Sequence, residues 1–317
     1  MHMTSIRRSA VVLGSAICLL LTGCGDAGTG GGAGEGQLSV LAGFYPLQWA
    51  AERVGGERVS VTSATPPGAE PHDLELTPQD VAAISEADLV VHVEGFQPGL
   101  DEAVASEAAD AAWDAGQAAD LSLTTAGEDD HAHEGEEEHA EEGASVDPHF
   151  WLDPTRLADV VDALAERLTE LDPDGADTYA GNAAALRADL EALDTEMQEA
   201  LSGCAVGTLV TGHDAFGYLG DRYGLDVVGI NGLSPTQEPS AAQLAAITEL
   251  VADRGITTVY TETLVDPAVA ETVAAEAGVQ TAVLDPLEGL TDESAGGDYL
   301  EVMRANLVTL QEGQNCS

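Results

Sequence analysis

The stretch DGADTYAGNAAALRADLEALDTEMQEALS, residues 174–202, decides how the rest of the chain is arranged. Ala176, Tyr179, Ala183, Leu186, Leu190, Leu193, Met197 and Leu201 recur at steps of three and four, which draws one apolar stripe along a helix. At 1.5 Å per residue such a helix runs roughly 43 Å, long enough to pass along two lobes. A coiled-coil dimer would need a longer repeat with a designed pattern of flanking charges. We therefore read a single connecting helix.

On both sides of it, short apolar runs alternate with helical patterns. Before it, strands are expected at Leu38–Ala42, Val59–Ser63 and Asp88–Val93, with helices over Pro46–Val54, Thr77–Glu86, Pro98–Ala108 and Pro154–Leu171. Thr77, Pro78 and Asp80 are spaced as an N-cap, a first helical proline and a capping-box acid. After it, strands are expected at Thr208–Thr211, Asp226–Ile230, Thr257–Thr261 and Gln280–Leu284, with helices between them and a last one near Gly297–Gln311. Such βα alternation implies parallel sheets covered by helices. The expected architecture is α/β, with an N-terminal lobe (37–173) and a C-terminal lobe (203–317), each a parallel sheet flanked by helices. The helix at 174–202 joins them, and a cleft lies between.

The first residues belong to export. Arg7 and Arg8 precede an apolar run, Ala10 to Leu20, too short to span a bilayer. It ends in Leu21-Thr22-Gly23-Cys24, which resembles the bacterial lipobox, with Cys24 as the lipidated residue. Residues 1–23 thus read as a lipoprotein signal peptide, and the Gly-rich residues 24–36 as a flexible tether. The implied location is the outer face of the cell membrane, held by N-terminal lipid. Of the remaining cysteines, Cys204 and Cys316 form an even pair suited to a disulfide in an exported protein, with two free buried thiols as the alternative.

Asp and Glu total 57 against 10 basic residues, every one an arginine, for a net charge of −47. That field repels nucleic acid and anionic membrane surfaces and attracts cations. A heavily solvated surface accounts for most of it. Residues 128–142 break all periodicity with a run of acids around His131, His133 and His139. Such a segment cannot build a packed core and reads as a loop, either a weak cation collector or a solvated insertion.

Outside the signal and that loop, four histidines remain. His72 lies in Pro71-His72-Asp73 after the second strand, His149 in Asp147-Pro148-His149-Phe150-Trp151, and His213 in Thr211-Gly212-His213-Asp214 directly after a strand. His92 alternates with apolar neighbours inside a strand and reads as a core or partly exposed residue. Ligands in open α/β sheets collect beyond the carboxyl ends of strands. Asp285, in Leu284-Asp285-Pro286-Leu287, occupies such an end too. Neutral imidazoles with one carboxylate suit a tetrahedral zinc ion. By spacing alone the case is weak, because these residues are scattered over most of the chain.

The chain resembles the cluster A-I metal-binding lipoproteins, the ZnuA-like substrate-binding proteins of zinc and manganese ABC importers, over nearly the whole mature sequence. The likeness is carried by Pro71-His72-Asp73-Leu74-Glu75-Leu76-Thr77-Pro78, Asp147-Pro148-His149-Phe150-Trp151-Leu152-Asp153-Pro154, Gly212-His213-Asp214-Ala215-Phe216-Gly217-Tyr218 and the segment 234–244 with Glu238-Pro239-Ser240. An acidic, histidine-bearing insertion before the second histidine is similar to the zinc-importing members. The resemblance implies two α/β lobes bridged by a long helix with the metal between them. It also implies a monomer that passes zinc to an ABC permease and its ATPase, with no enzymatic activity.

Within that resemblance, His72, His149, His213 and Asp285 are the expected metal ligands. Manganese-carrying members tend to place Glu at the third position; His213 there favours zinc, with manganese or another transition metal as the alternative. Asp285 competes for the fourth position with water and with Glu262, whose expected role is to orient a ligand histidine. A zinc hydrolase would need an open coordination position and a general base. No His-Glu-x-x-His pair is present, and an adhesin reading finds no separate adhesive module.

Overall fold

Short β-branched and apolar runs supply two parallel sheets in the computed structural model, which describes residues 36–125 and 145–317. The signal peptide with Cys24, nearly all of the tether, and the acidic loop with His131, His133 and His139 lie outside the described residues. In chain order the first half forms β1 (Leu38–Ala42), α1 (Tyr45–Gly55), β2 (Val59–Ser63), α2 (Pro78–Glu86), β3 (Leu89–His92), α3 (Pro98–Glu107), β4 (Ala112–Asp114) and α4 (Gly116–Ala119). A short antiparallel pair follows, β5 (Thr124–Thr125) with β6 (Ser145–Val146). Next come α5 (Pro154–Leu171) and the long α6 (Ala176–Leu201). The second half forms β7 (Thr208–Thr211), α7 (Gly217–Tyr223), β8 (Asp226–Gly229), α8 (Ala241–Asp253), β9 (Thr258–Thr261), α9 (Ala268–Ala277), β10 (Gln280–Val283) and α10 (Tyr299–Gly313).

The sheets run β2-β1-β3-β4 and β10-β9-β7-β8, and every pairing within them is parallel. β4 was not expected from sequence: three residues are too few to display a period of two. Helix starts follow local chemistry. Thr77 and Asp80 close the expected capping box on α2, Ser240 and Gln243 close another on α8, and Asp153 caps α5.

Alternation along the strands divides the apolar residues between faces. Val40, Ala42, Leu89 and Val91 point to one large core, which continues through Leu209 and Tyr260 of the second sheet and Leu284 just past β10. Leu41 and Val90 face a smaller cluster with Ile84 and Leu100, under α2 and α3. Val210 and Val259 face a third with Val251 and Val273, under α8 and α9. The stripe on α6 lies in the large core, where Tyr179, Leu186, Leu190, Leu193 and Met197 are fully buried. That helix packs on α1 and α5 of the first half and on α7 and α10 of the second. The two sheets therefore share one core and one spine.

Charge reinforces the spine. Arg53 of α1 reaches Asp189 at 2.8 Å, Arg222 of α7 forks onto Asp194 at 2.8 and 2.6 Å, and Arg304 of α10 forks onto Glu196 at 2.8 and 3.1 Å. Every arginine among the described residues has a carboxylate partner. The acids outnumber these arginines, and Asp147, Glu262, Asp285 and Glu288 are buried without one.

Cys204 and Cys316 form a disulfide across a sequence separation of 112, tying the end of α10 to the chain just past α6. Closing so long a loop restricts the unfolded chain, an effect of about 2–5 kcal/mol. Cys316→Ser is expected to lower the denaturant midpoint and, by releasing the unfolded chain, to raise the slope. Two titratable thiols in the unreduced wild-type protein would show that no bridge forms.

Candidate metal centre

Three histidines from distant loops meet one glutamate. His72 follows β2, His149 follows β6, His213 follows β7 and Glu288 follows β10. Glu288 Oε1 lies 3.3 Å from His72 Nε2, 3.2 Å from His149 Nε2 and 3.1 Å from His213 Nε2. His72 Nε2 and His149 Nε2 are themselves 3.3 Å apart. One ligand atom from each residue fits within a span of 4.8 Å. A tetrahedral zinc with bonds of about 2.0–2.1 Å has ligand–ligand edges of about 3.3 Å. These four separations match that edge, so the donor set can close on one such ion.

The structure corrects the fourth position: Glu288, not Asp285, stands among the imidazoles. Asp285 Oδ1 accepts the Leu287 N–H at 2.8 Å and Oδ2 accepts the Ser294 hydroxyl at 2.9 Å. Asn306 binds its backbone at both ends, accepting from the Asp285 N–H at 2.9 Å and donating to its carbonyl at 2.7 Å. Both carboxylate oxygens thus hold the loop. Leu287 then takes a left-handed backbone, φ 60°, which is unusual for a leucine and turns the chain so that residue 288 reaches the centre. Trp151 Nε1 donates to Pro286 O at 2.8 Å, linking this loop to the His149 segment.

A sequence signal for this existed. Asp-Pro-x stretches here form turns in which the aspartate accepts the N–H two residues on: Asp147 from His149 at 2.9 Å, Asp153 from Thr155 at 2.8 Å and Asp266 from Ala268 at 2.9 Å. Asp285-Pro286-Leu287 is the same pattern, which commits its carboxylate to backbone.

The other ring nitrogens are oriented by carboxylates. Asp147 Oδ1 is 2.8 Å from His149 Nδ1. Glu262 Oε2 is 2.5 Å from His213 Nδ1, and its Oε1 accepts the His213 N–H at 2.8 Å. With both oxygens on His213, Glu262 is not placed to activate a water. Gly212 permits this approach, since a Cβ there would lie 2.7 Å from Glu262 Oε1. A carboxylate on Nδ1 leaves Nε2 free to face a cation. His72 is held differently, its N–H donating to Glu70 Oε1 at 3.0 Å and its ring meeting Phe96 edge-on at 4.5 Å. His92, expected in a strand, ends β3 beside Asp101 at 3.2 Å, apart from the centre.

Burial and charge compete at each group. Burial pushes His72 below the ordinary histidine value and outweighs the pull of Glu288. Burial opposes the charge on His149 too, but Asp147 and Glu288 outweigh it and hold the ring above its usual value. The same contest at His213 is won decisively by Glu262 and Glu288, which raise it well above. Burial alone would raise Glu288; the charge of His213 and hydrogen bonds from the imidazoles keep it well below the usual carboxylate range. The buried carboxylates thus favour the protonated form of His149 and His213.

The model of the periplasmic zinc-uptake complex component A family matches residues 40–313. The chain is 36% identical to the zinc-binding lipoprotein AdcA of Streptococcus pneumoniae serotype 4 across 97% of its own length and 61% of that protein's. It thus spans about three fifths of that relative. It is 35% identical to the high-affinity zinc uptake system protein ZnuA of Bacillus subtilis, covering 94% of this chain and 95% of that one. The Zn(II)-bound ZnuA-like domain of Streptococcus pneumoniae AdcA superposes with a TM-score of 0.71 at 34% identity, over 88% of this chain and all of that domain.

Proposed function

This chain belongs to the family of the periplasmic zinc-uptake complex component A, and from that premise we propose that it captures Zn2+ outside the cytoplasmic membrane and hands it to an ABC importer. The observation that carries the reading is the convergence of His72, His149, His213 and Glu288 at tetrahedral spacing. Three nitrogens with one carboxylate suit zinc better than the harder manganese ion, which prefers oxygen. The permease and ATPase partners, the lipid anchor at Cys24 and collection of cations by His131, His133 and His139 belong to the same proposal. Family membership and the Leu21-Thr22-Gly23-Cys24 motif support it.

Zinc must displace the protons on His149 and His213, whose values are raised. Affinity therefore climbs as pH rises from 6 through those raised values, while Glu288, already ionised, contributes no such dependence. Calorimetry near pH 7 in buffers of different ionisation enthalpy is expected to show one tight zinc site releasing roughly one to two protons. Manganese should bind much more weakly. Equal affinity for manganese, or zinc binding without proton release, would contradict this reading.

A further inference from the structure

The centre is shut. The side chains of His149, His213 and Glu288 are 0% exposed, and that of His72 is 9% exposed. An ion must nonetheless enter and leave. Against the centre lies a cavity of about 320 Å3, bounded by Tyr45, Thr62 and Ser63 on one side and by Glu288, Gly289 and Leu290 on the other. Thr62 at its rim is exposed, whereas Glu288 at its inner end is 0% exposed, so that side chain closes the space off from the centre and must turn to open it. Glu288 is the one charged residue in its wall; the rest are neutral oxygens, an amide, prolines and a leucine.

Two oxygens behind its wall, Ser63 Oγ and Glu288 Oε2, are buried without a hydrogen-bond partner. Glu288 Oε1 is engaged by the imidazoles, so one carboxylate faces the centre with one oxygen and has the other free. A buried acceptor without a donor is unfavourable. A cation arriving with its waters supplies both the opposite charge and the missing O–H donors. Each water takes about 30 Å3, so an ion with a first shell of them fits this volume.

We propose that this cavity is the passage for the hydrated divalent cation, and that Glu288 receives the ion there before the three imidazoles replace its waters. The proposal rests on the zinc-capture reading and adds a transit subsite to it. The backbone before Glu288 is pinned by Asn306 and Trp151 and by the Asp285 turn. The glutamate side chain is therefore the moving part.

Narrowing the passage tests it without touching a ligand. Ser63→Leu fills the cavity and removes an unpartnered hydroxyl. Thr62→Leu, at the exposed rim of the cavity, is the milder plug. Zinc association and dissociation are followed by stopped flow against a fluorescent zinc chelator, with thermal melting to verify folding. A passage lies on the path both ways, so Ser63→Leu should slow both rates by the same factor, on the order of tenfold, and leave Kd unchanged. Thr62→Leu should do the same more weakly. Wild-type rates in both folded variants, or a changed Kd with only one rate affected, would overturn the passage alone. A wild-type protein that takes up no zinc would overturn the capture reading with it.

Discussion

His213→Ala is expected to abolish tight zinc binding and also to destabilise the metal-free protein, because two buried carboxylates depend on this one ring. Glu262 lies 2.5 Å from Nδ1 and Glu288 3.1 Å from Nε2, and both carboxylate side chains are 0% exposed. Removing one partner from a buried ionic cluster costs about 3–5 kcal/mol, since the remaining charge has no water to turn to. The binding loss is of similar size. Tight structural zinc sites are worth about 10–16 kcal/mol, so one ligand in four accounts for about 3–4 kcal/mol, or several-hundredfold in Kd. Chemical denaturation reads the first effect and calorimetry the second. Adding Glu262→Gln to the variant removes one stranded charge, so the double substitution should recover part of the stability and none of the zinc affinity. Unchanged stability in the single variant would show that Glu262 does not depend on the imidazole.

Glu288 and Asp285 are expected to separate under conservative substitution. Glu288→Gln keeps the shape but removes the charge that faces three imidazoles, and zinc affinity should fall several-hundredfold. Asp285→Asn keeps an Oδ1 acceptor for the Leu287 N–H, and an amide can donate to Ser294 where the acid accepted from it. Affinity should therefore stay within a few-fold of wild type. Asp285→Ala loses the turn altogether and should fall about 10–100-fold, as supporting residues around metal ligands do. The loss would come with reduced stability. If Asp285→Asn proved the more damaging change, the ligand assignment would have to return to Asp285.

These two carboxylates show where sequence reading stops. Both sit in one loop after a strand, and proximity to the strand end favours Asp285. The turn made by Asp285 and Leu287 reverses that preference by folding the aspartate onto its own backbone. His72, His149 and His213 were legible because each lies in a loop at an element boundary within a motif shared with a known family. Asp147, the partner of the His149 ring, stood inside the quoted motif, yet spacing alone could not assign its role. Glu262 was legible as a positioning group; its two bonds to His213 needed coordinates.

The sequence by itself determined the main helices and strands and their order, but not the short β4, α4, β5 and β6. Apolar period and capping chemistry are local, and they suffice to place α6, its stripe and the alternating strands on each side. The disulfide candidates and the three histidines follow from composition and motif. Only the tertiary structure decided that the two sheets share one core along α6, because burial depends on which faces meet. It alone placed Glu288 at the centre and a cavity behind it. A coordination site is a set of distances of about 3.3 Å between atoms far apart in the chain. Such distances are set by how loops turn and sheets pack, and no periodicity along a single strand records them.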